Sequence, residues 1–335
     1  MSILQKVFFD PKHRKRGLIL AFTIFGTCVA VITGTVVYNF AIPKQNFPKL
    51  KSHLDLPTQA ITTFDDSKNF DYPNDVDGFN NSSCPTLNSD WVAKENAKTG
   101  VAMQASEWRQ VDFRTVNGSS LWLNTTSAGC GETIQVHAAL SDKYISGDRS
   151  RTIHAWRIGW YNGAGARDVW SSSPIALKKE KVRQPKDNLR MVDTRWPTTL
   201  KIQIGNDWTP GFYLIITEDA SGHMEGAAPL VVRAPEGNSP VLLMHSFLTW
   251  NLYNSFGSRS AYFGNGEDTK SKRDDRSRVV SLDRPIIGSG GYSIKRDAIS
   301  MVQFLEKNGI NFDQVSDLDI NQKPSMLDSY NELVL

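Results

Sequence analysis

Three groups of side chains between residues 245 and 319 have the types and spacing to do chemistry. Asp317-Leu318-Asp319 directly follows a predicted strand that ends at Ser316. In open α/β sheets ligands collect at the carboxyl ends of the strands. Two carboxylates there can hold a metal or serve as acid and base, and they can equally cap the turn and helix that follow. His245 and Ser246 end an earlier strand on the same ligand-facing edge. A histidine in that position can move protons near neutral pH, or can be a hydrogen-bonded structural residue. A few residues further on, Thr249-Trp250-Asn251-Leu252-Tyr253-Asn254 places Tyr253 where it can project into a cleft. A tyrosinate oxygen suits a Lewis-acidic ion such as ferric iron, and a bound cation would depress its pKa; an aromatic packing cluster is the alternative. The familiar catalytic signatures are missing: the sequence has no Walker A loop, HExxH, GxSxG elbow or CxxC pair. Gly288-Ser289-Gly290-Gly291 lacks the third glycine of a dinucleotide fingerprint and is expected to be a flexible turn.

The elements that must position these groups form a predicted α/β unit over residues 241–335. Val241–Met244 is a short continuous apolar run, as in a strand buried on both faces. Asp297–Lys307 places Ile299, Val302, Phe304 and Leu305 at helical spacing, and Asn308-Gly309 follows as a stop signal. Ile310–Ser316 reads as a strand, Ser325–Tyr330 as a short helix, and Glu332–Leu335 as another strand. Strands alternating with helices in this way predict a parallel sheet with crossover helices. Because the last apolar strand is also the end of the sequence, this α/β domain is expected to be incomplete.

Residues 101–235 have a different texture. Short β-rich runs, Thr133–Ala139, Ile153–Ile158, Leu200–Ile204, Phe212–Thr217 and Leu230–Arg233, are separated by Gly, Pro, Asn and Asp. That pattern predicts a β-sandwich, and Pro235–Pro240 marks the break before the α/β unit. Residues 44–100 are polar, without sustained periodicity, and are expected to be a stalk or irregular lead-in. Upstream, residues 17–43 form a run without a single charge behind the basic segment 1–16. A membrane helix needs about 20 apolar residues, and positive charge stays on the cytoplasmic side. The expectation is a single-pass protein with a cytoplasmic N-terminus, a transmembrane anchor at 17–43 and an exported body whose first partner is the membrane.

Composition narrows the function classes. The net charge of +3 includes the N-terminal basic cluster, and no basic stripe with interleaved aromatics points to nucleic acid. Cys28 lies in the apolar run, which leaves Cys84 and Cys130 as an even pair; an oxidising compartment would allow a disulfide between them. Glycosylation sequons begin at Asn80, Asn81, Asn117 and Asn124.

A set of motifs in fixed order then carries a resemblance. Residues 156–167 read WRIGWYNGAGAR and residues 207–213 read DWTPGFY; Val231-Val232-Arg233, the TWNLYN segment, Asp283-Arg284-Pro285, residues 304–309 (FLEKNG) and Ser316–Asp319 follow. Together, from about Gly131 to Leu335, they resemble the C-terminal-like family of the N,N-dimethylformamidase large (beta) subunit. The resemblance implies an amidohydrolase with one mononuclear iron held by two tyrosines and a glutamate. Tyr253 matches the tyrosine of the TW-x-x-YN motif, which makes it a candidate ligand. The family often has a tyrosine directly after Arg-Pro, where this chain has Ile286; Tyr292 is a nearby substitute. The family's His-Asp-Glu segment, which holds the glutamate, follows the strand at which this sequence ends. Two readings result: an iron-dependent hydrolase of amide C–N bonds acting on a small amide, or a non-catalytic cell-surface module that binds glycan or protein on a degenerate α/β scaffold.

Overall fold

Both faces of one sheet are buried, and that sheet organises the rest of the molecule. In the computed structural model the described residues are 87–103, 118–141, 147–262, 264 and 275–335. In chain order their elements are α1 (Trp91–Asn96), β1 (Val101–Ala102), β2 (Ser119–Leu123), β3 (Ser127–Ala128), β4 (Thr133–Ser141), β5 (Ser150–Ile158) and β6 (Gly165–Ser171). Then come β7 (Ile175–Ala176), β8 (Lys179–Glu180), β9 (Leu200–Gln203), β10 (Gly211–Glu218), β11 (Met224–Val232) and β12 (Val241–His245). The remainder is α2 (Phe247–Tyr253), α3 (Gly288–Ser293), a π-helical stretch (Ile294–Ile299), α4 (Ser300–Lys307), β13 (Asp313–Ser316), α5 (Asp317–Gln322) and β14 (Glu332–Val334).

The seven-stranded sheet runs β1-β6-β5-β10-β11-β3, with β7 also on β5; the four-stranded sheet runs β2-β4-β8, with β9 on β4. Successive side chains of a strand point to opposite faces, and β10 shows what each face meets. Tyr213 and Ile215 pack with Ile134, Val136 and Leu121 of the four-stranded sheet. Phe212, Leu214 and Ile216 pack instead with Leu243, Phe247, Trp250 and Val302 of the α/β region. The central sheet is therefore the middle of three layers, which is why every residue of β11 is buried. Each large side chain buried there is worth about 1.5–3 kcal/mol. The predicted break at Pro235–Pro240 falls in the loop between β11 and β12, and the hydrophobic core runs across it.

The third sheet, β13-β12-β14, is parallel throughout, with Leu242 opposite Asp313 and Leu333, and His245 opposite Ser316. Ile299, Val302 and Leu305 turn inward from the helix that crosses it, while Phe304 is 58% exposed. That helix ends as its sequence predicts. Gly309 sits at φ +67°, its N–H bonds Glu306 O, and the Ile310 N–H bonds Leu305 O, the paired bonds of a Schellman stop.

Several expectations need correction. The fold class read from the sequence, a transmembrane helix followed by a sandwich and an α/β unit, is not the architecture observed. Among the described residues no helix is long and apolar enough to cross a membrane, and the 17–43 run lies outside the described residues. The anchor, the membrane as partner and the single-pass localisation are withdrawn. The sheets are also mixed: β3 joins β11 and β8 joins β4 in parallel, within otherwise antiparallel pairings. Gly288-Ser289-Gly290-Gly291 is no turn but the first part of α3. A Cβ on Gly290 would collide with the Trp250 carbonyl of α2, so glycine here permits close helix packing. Cys130 is disulfide-bonded; Cys84, its expected partner, lies outside the described residues.

Candidate functional site

The carboxyl end of β12 opens into a cleft of ≈ 970 Å³ between α2 and the α3–α4 helical run. Its position follows from the chain path. β12 is the middle strand of the parallel sheet, and α2 starts two residues beyond its end. The helical run 288–307 covers the other side. His245, Tyr253 and Tyr292 all line this cleft; Asp317 and Asp319 do not.

His245 is buried. Its imidazole lies over Phe212, with ring centroids 4.6 Å apart, and its Nε2 is 2.8 Å from Gln314 Oε1. Burial pushes its pKa down to about 4, so the ring is neutral at ordinary pH. It is a wall of the cleft rather than a cationic acid.

Tyr253 ends α2. Its ring stacks on Tyr262 at 4.2 Å with 5° between the planes. The hydrogen bond it shares with the Tyr262 hydroxyl pushes its pKa up, away from the tyrosinate that a ligand needs. Tyr292 is 51% exposed, with the Arg296 guanidinium 5.7 Å from its ring centroid. Arg296 is itself paired in a fork with Asp297, at 2.5 and 2.7 Å.

The two aspartates beyond β13 serve helix ends. Asp317 Oδ2 accepts from the Leu248 N–H, in the first turn of α2, at 2.9 Å, and burial raises its pKa. Asp319 closes a capping box with Ser316. Its other oxygen accepts from Ser127 Oγ at 2.5 Å and lies 3.5 Å from Arg233. Arg233 in turn holds Glu132, so Asp319 ties α5 to the sandwich. Both were legible as carboxylates at a strand end, and the capping role is the one realised.

Sequence reasoning missed a second polar assembly, where α1, the sandwich and α4 meet. Arg157 and Glu306 form a fully buried ion pair at 2.7 Å. Glu306 also accepts from the Trp160 N–H and from Asn96 Nδ2. Glu95 bonds Tyr161, Thr209, Lys98 and Arg167. Burial opposes the charge on Glu95, but Arg157 and these hydrogen bonds outweigh it and hold the carboxyl at about 2. The partners are far apart in sequence, and no local pattern announces them.

The tyrosine positions of this chain do not fit a mononuclear iron held by two tyrosines. Ile286, at the position after Arg-Pro, is buried in the apolar core. Tyr253 is committed to Tyr262, and Asp297 to Arg296. Among the described residues, the His, Cys, Asp and Glu side chains grouped closely enough to share an ion are Asp219, His223 and Glu225. That group lies at the β10–β11 hairpin, where Glu225 is taken by Arg151.

Comparison with curated proteins finds no match. The family model described as N,N-dimethylformamidase beta subunit-like, C-terminal, matches residues 152–335. That span takes in the inner strands of the central sheet, the parallel sheet and every wall of the cleft, and the chain belongs to this family.

Proposed function

We propose that the cleft at the end of β12 binds a small amide, and that its lining makes it a binding site rather than a hydrolytic one. The observation that carries this reading is Ile286: a core aliphatic side chain stands where the family often places a metal-binding tyrosine. The lining supports a carbonyl ligand. Ser246, Thr249, Ser289 and Ser293 offer hydroxyl donors beside the aromatic walls of Trp250, Tyr253 and Tyr292, and pockets of this mixed character suit small molecules. His245 contributes a neutral ring.

A second reading, iron-dependent hydrolysis of an amide C–N bond, draws on the family match and on Tyr253 in its TW-x-x-YN motif. One set of measurements separates the two. The 335-residue chain, produced with iron supplied, is assayed for bound iron, for dimethylamine release from N,N-dimethylformamide, and for a change in intrinsic fluorescence during titration with that amide that is absent in Trp250→Phe. Substoichiometric iron, no amine and a saturable fluorescence change support binding alone. Stoichiometric iron with amine release, both lost in Tyr253→Phe, would establish the hydrolase. Absence of a saturable change would remove the amide from the cleft.

A further inference from the structure

A smaller cavity, separate from the cleft, lies where β2 and β11 meet α2 and the 282–286 loop. Its volume is ≈ 40 Å³, and its lining includes Trp122, Asn251 and Arg284. We propose that this cavity is a site for a small monovalent anion, of halide or formate size, held by Arg284 and Trp122.

Arg284 is 1% exposed, and no carboxylate forms an ion pair with it among the described residues. Its two terminal nitrogens bond the carbonyls of Asn251, Asn254, Phe256 and Arg259 at 3.1–3.3 Å. These are neutral dipoles, so the unit charge stays uncompensated. Buried charges in proteins are ordinarily paired. Among the described residues the fifth donor, Nε–H, is buried without a partner, and so is the indole Nε1–H of Trp122. The ring of Trp122 is fixed by its stack on His137, at 3.9 Å and 5°. One charged and one neutral donor thus belong to residues that line the same small cavity.

Size selects the ligand. A water needs about 10–15 Å³ measured in this way, so the cavity admits one small anion with a water beside it. That water would answer the remaining orphan, Asn251 Oδ1, by donating one hydrogen to it and one to the anion. Phosphate and sulfate are too bulky and too highly charged for two donors. The site is independent of the cleft chemistry proposed above.

The test is thermal unfolding of the full chain, titrated with sodium chloride and separately with sodium formate. Ionic strength is held constant with gluconate, which is too large for the cavity. A ligand that binds only the folded state raises the midpoint with a saturating dependence on its concentration. Saturation is expected with at least one of the two anions, and the one that saturates first identifies the source. In Arg284→Lys the apparent dissociation constant should rise by on the order of tenfold or more, as one charge-assisted hydrogen bond is lost. A response that never saturates, or is unchanged in Arg284→Lys, overturns the proposal. Should that variant fail to fold, bromide-soaked crystals of the parent decide. An anomalous peak within hydrogen-bond reach of Arg284 Nε supports the site, and its absence at saturating bromide refutes it.

Discussion

Replacing Glu306 by glutamine keeps the shape of the side chain and removes one charge from the joint between the helical layer and the sandwich. In the parent, Oε1 of Glu306 accepts from Arg157 at 2.7 Å, while Oε2 accepts from Trp160 N and Asn96 Nδ2 at 3.1 and 3.2 Å. Every donor faces a carboxylate oxygen. An amide cannot satisfy all three: with its oxygen toward Arg157, its NH₂ meets two donors; flipped, it meets the guanidinium. Both charged side chains are fully buried, so water cannot step in. Removing one member of a buried ion pair costs about 3–5 kcal/mol, a large part of an ordinary stability of about 5–15 kcal/mol. Equilibrium unfolding in urea should show that loss as a lower midpoint. A second variant, Arg157→Met, and the double variant complete a cycle. The double variant should lose clearly less than the sum of the singles, since neither charge is then left without its partner. A Glu306→Gln midpoint within about 1 kcal/mol of the parent, or strict additivity, would refute the claim that this pair holds the layers together.

Two further outcomes follow from the same polar contacts. Glu95 is held at about 2 instead of 4.5, so its contribution is complete above pH 4.5 and disappears as pH falls toward 2. The amount is about 3 kcal/mol, and acid titration of stability should lose that slope in Glu95→Gln. Asp319→Ala removes the capping box of α5 and the link to Ser127 and Arg233, for an expected loss of about 2 kcal/mol in the urea midpoint; an unchanged midpoint would mean that α5 does not depend on this cap.

How much of this was legible in the sequence depends on the range of the signal. Strands β4, β5, β9, β10 and β12 coincide with the predicted runs to within three residues at either end, because alternation and continuous apolar runs are local. The stop at Gly309 was legible for the same reason. By contrast, α1 lies in a segment whose composition suggested an irregular lead-in. Its six residues are helical because Trp91 and Val92 bury an apolar side and Glu95 and Asn96 bond the sandwich, which tertiary contacts alone can dictate. The glycine run of α3 misled for a similar reason, since its purpose is close approach to α2. Of the site, the motif placed Tyr253 in the cleft wall and the strand end placed His245 there. What no spacing could reveal was the state of these groups. The hydrogen bond with Tyr262 pushes the Tyr253 hydroxyl's pKa up, and burial keeps His245 neutral.

The motifs that carry the family likeness have a more specific use than their order suggested. In WRIGWYNGAGAR, Arg157 pairs with Glu306 and Arg167 with Glu95. A Cβ on Gly159 would collide with the Glu306 carboxylate. Tyr161 and Asn162 adopt positive φ, 43° and 54°, a conformation that costs free energy for residues other than glycine; the turn brings the Tyr161 N–H onto Asn96. In FLEKNG, Glu306 is the other half of that joint and Gly309 ends the helix. In the Asp-Arg-Pro segment, Arg284 clasps four carbonyls of the chain between α2 and residue 259, and so fixes the end of the helix that bears Tyr253. These residues are constrained by layer packing, and they would persist whatever the cleft binds. Whatever chemistry the cleft performs depends instead on a few side chains on its own walls, His245, Tyr253 and Tyr292 among them. The fold signature of the family and the chemistry of the cleft are therefore carried by different residues, and assays of iron and amide report on the latter alone.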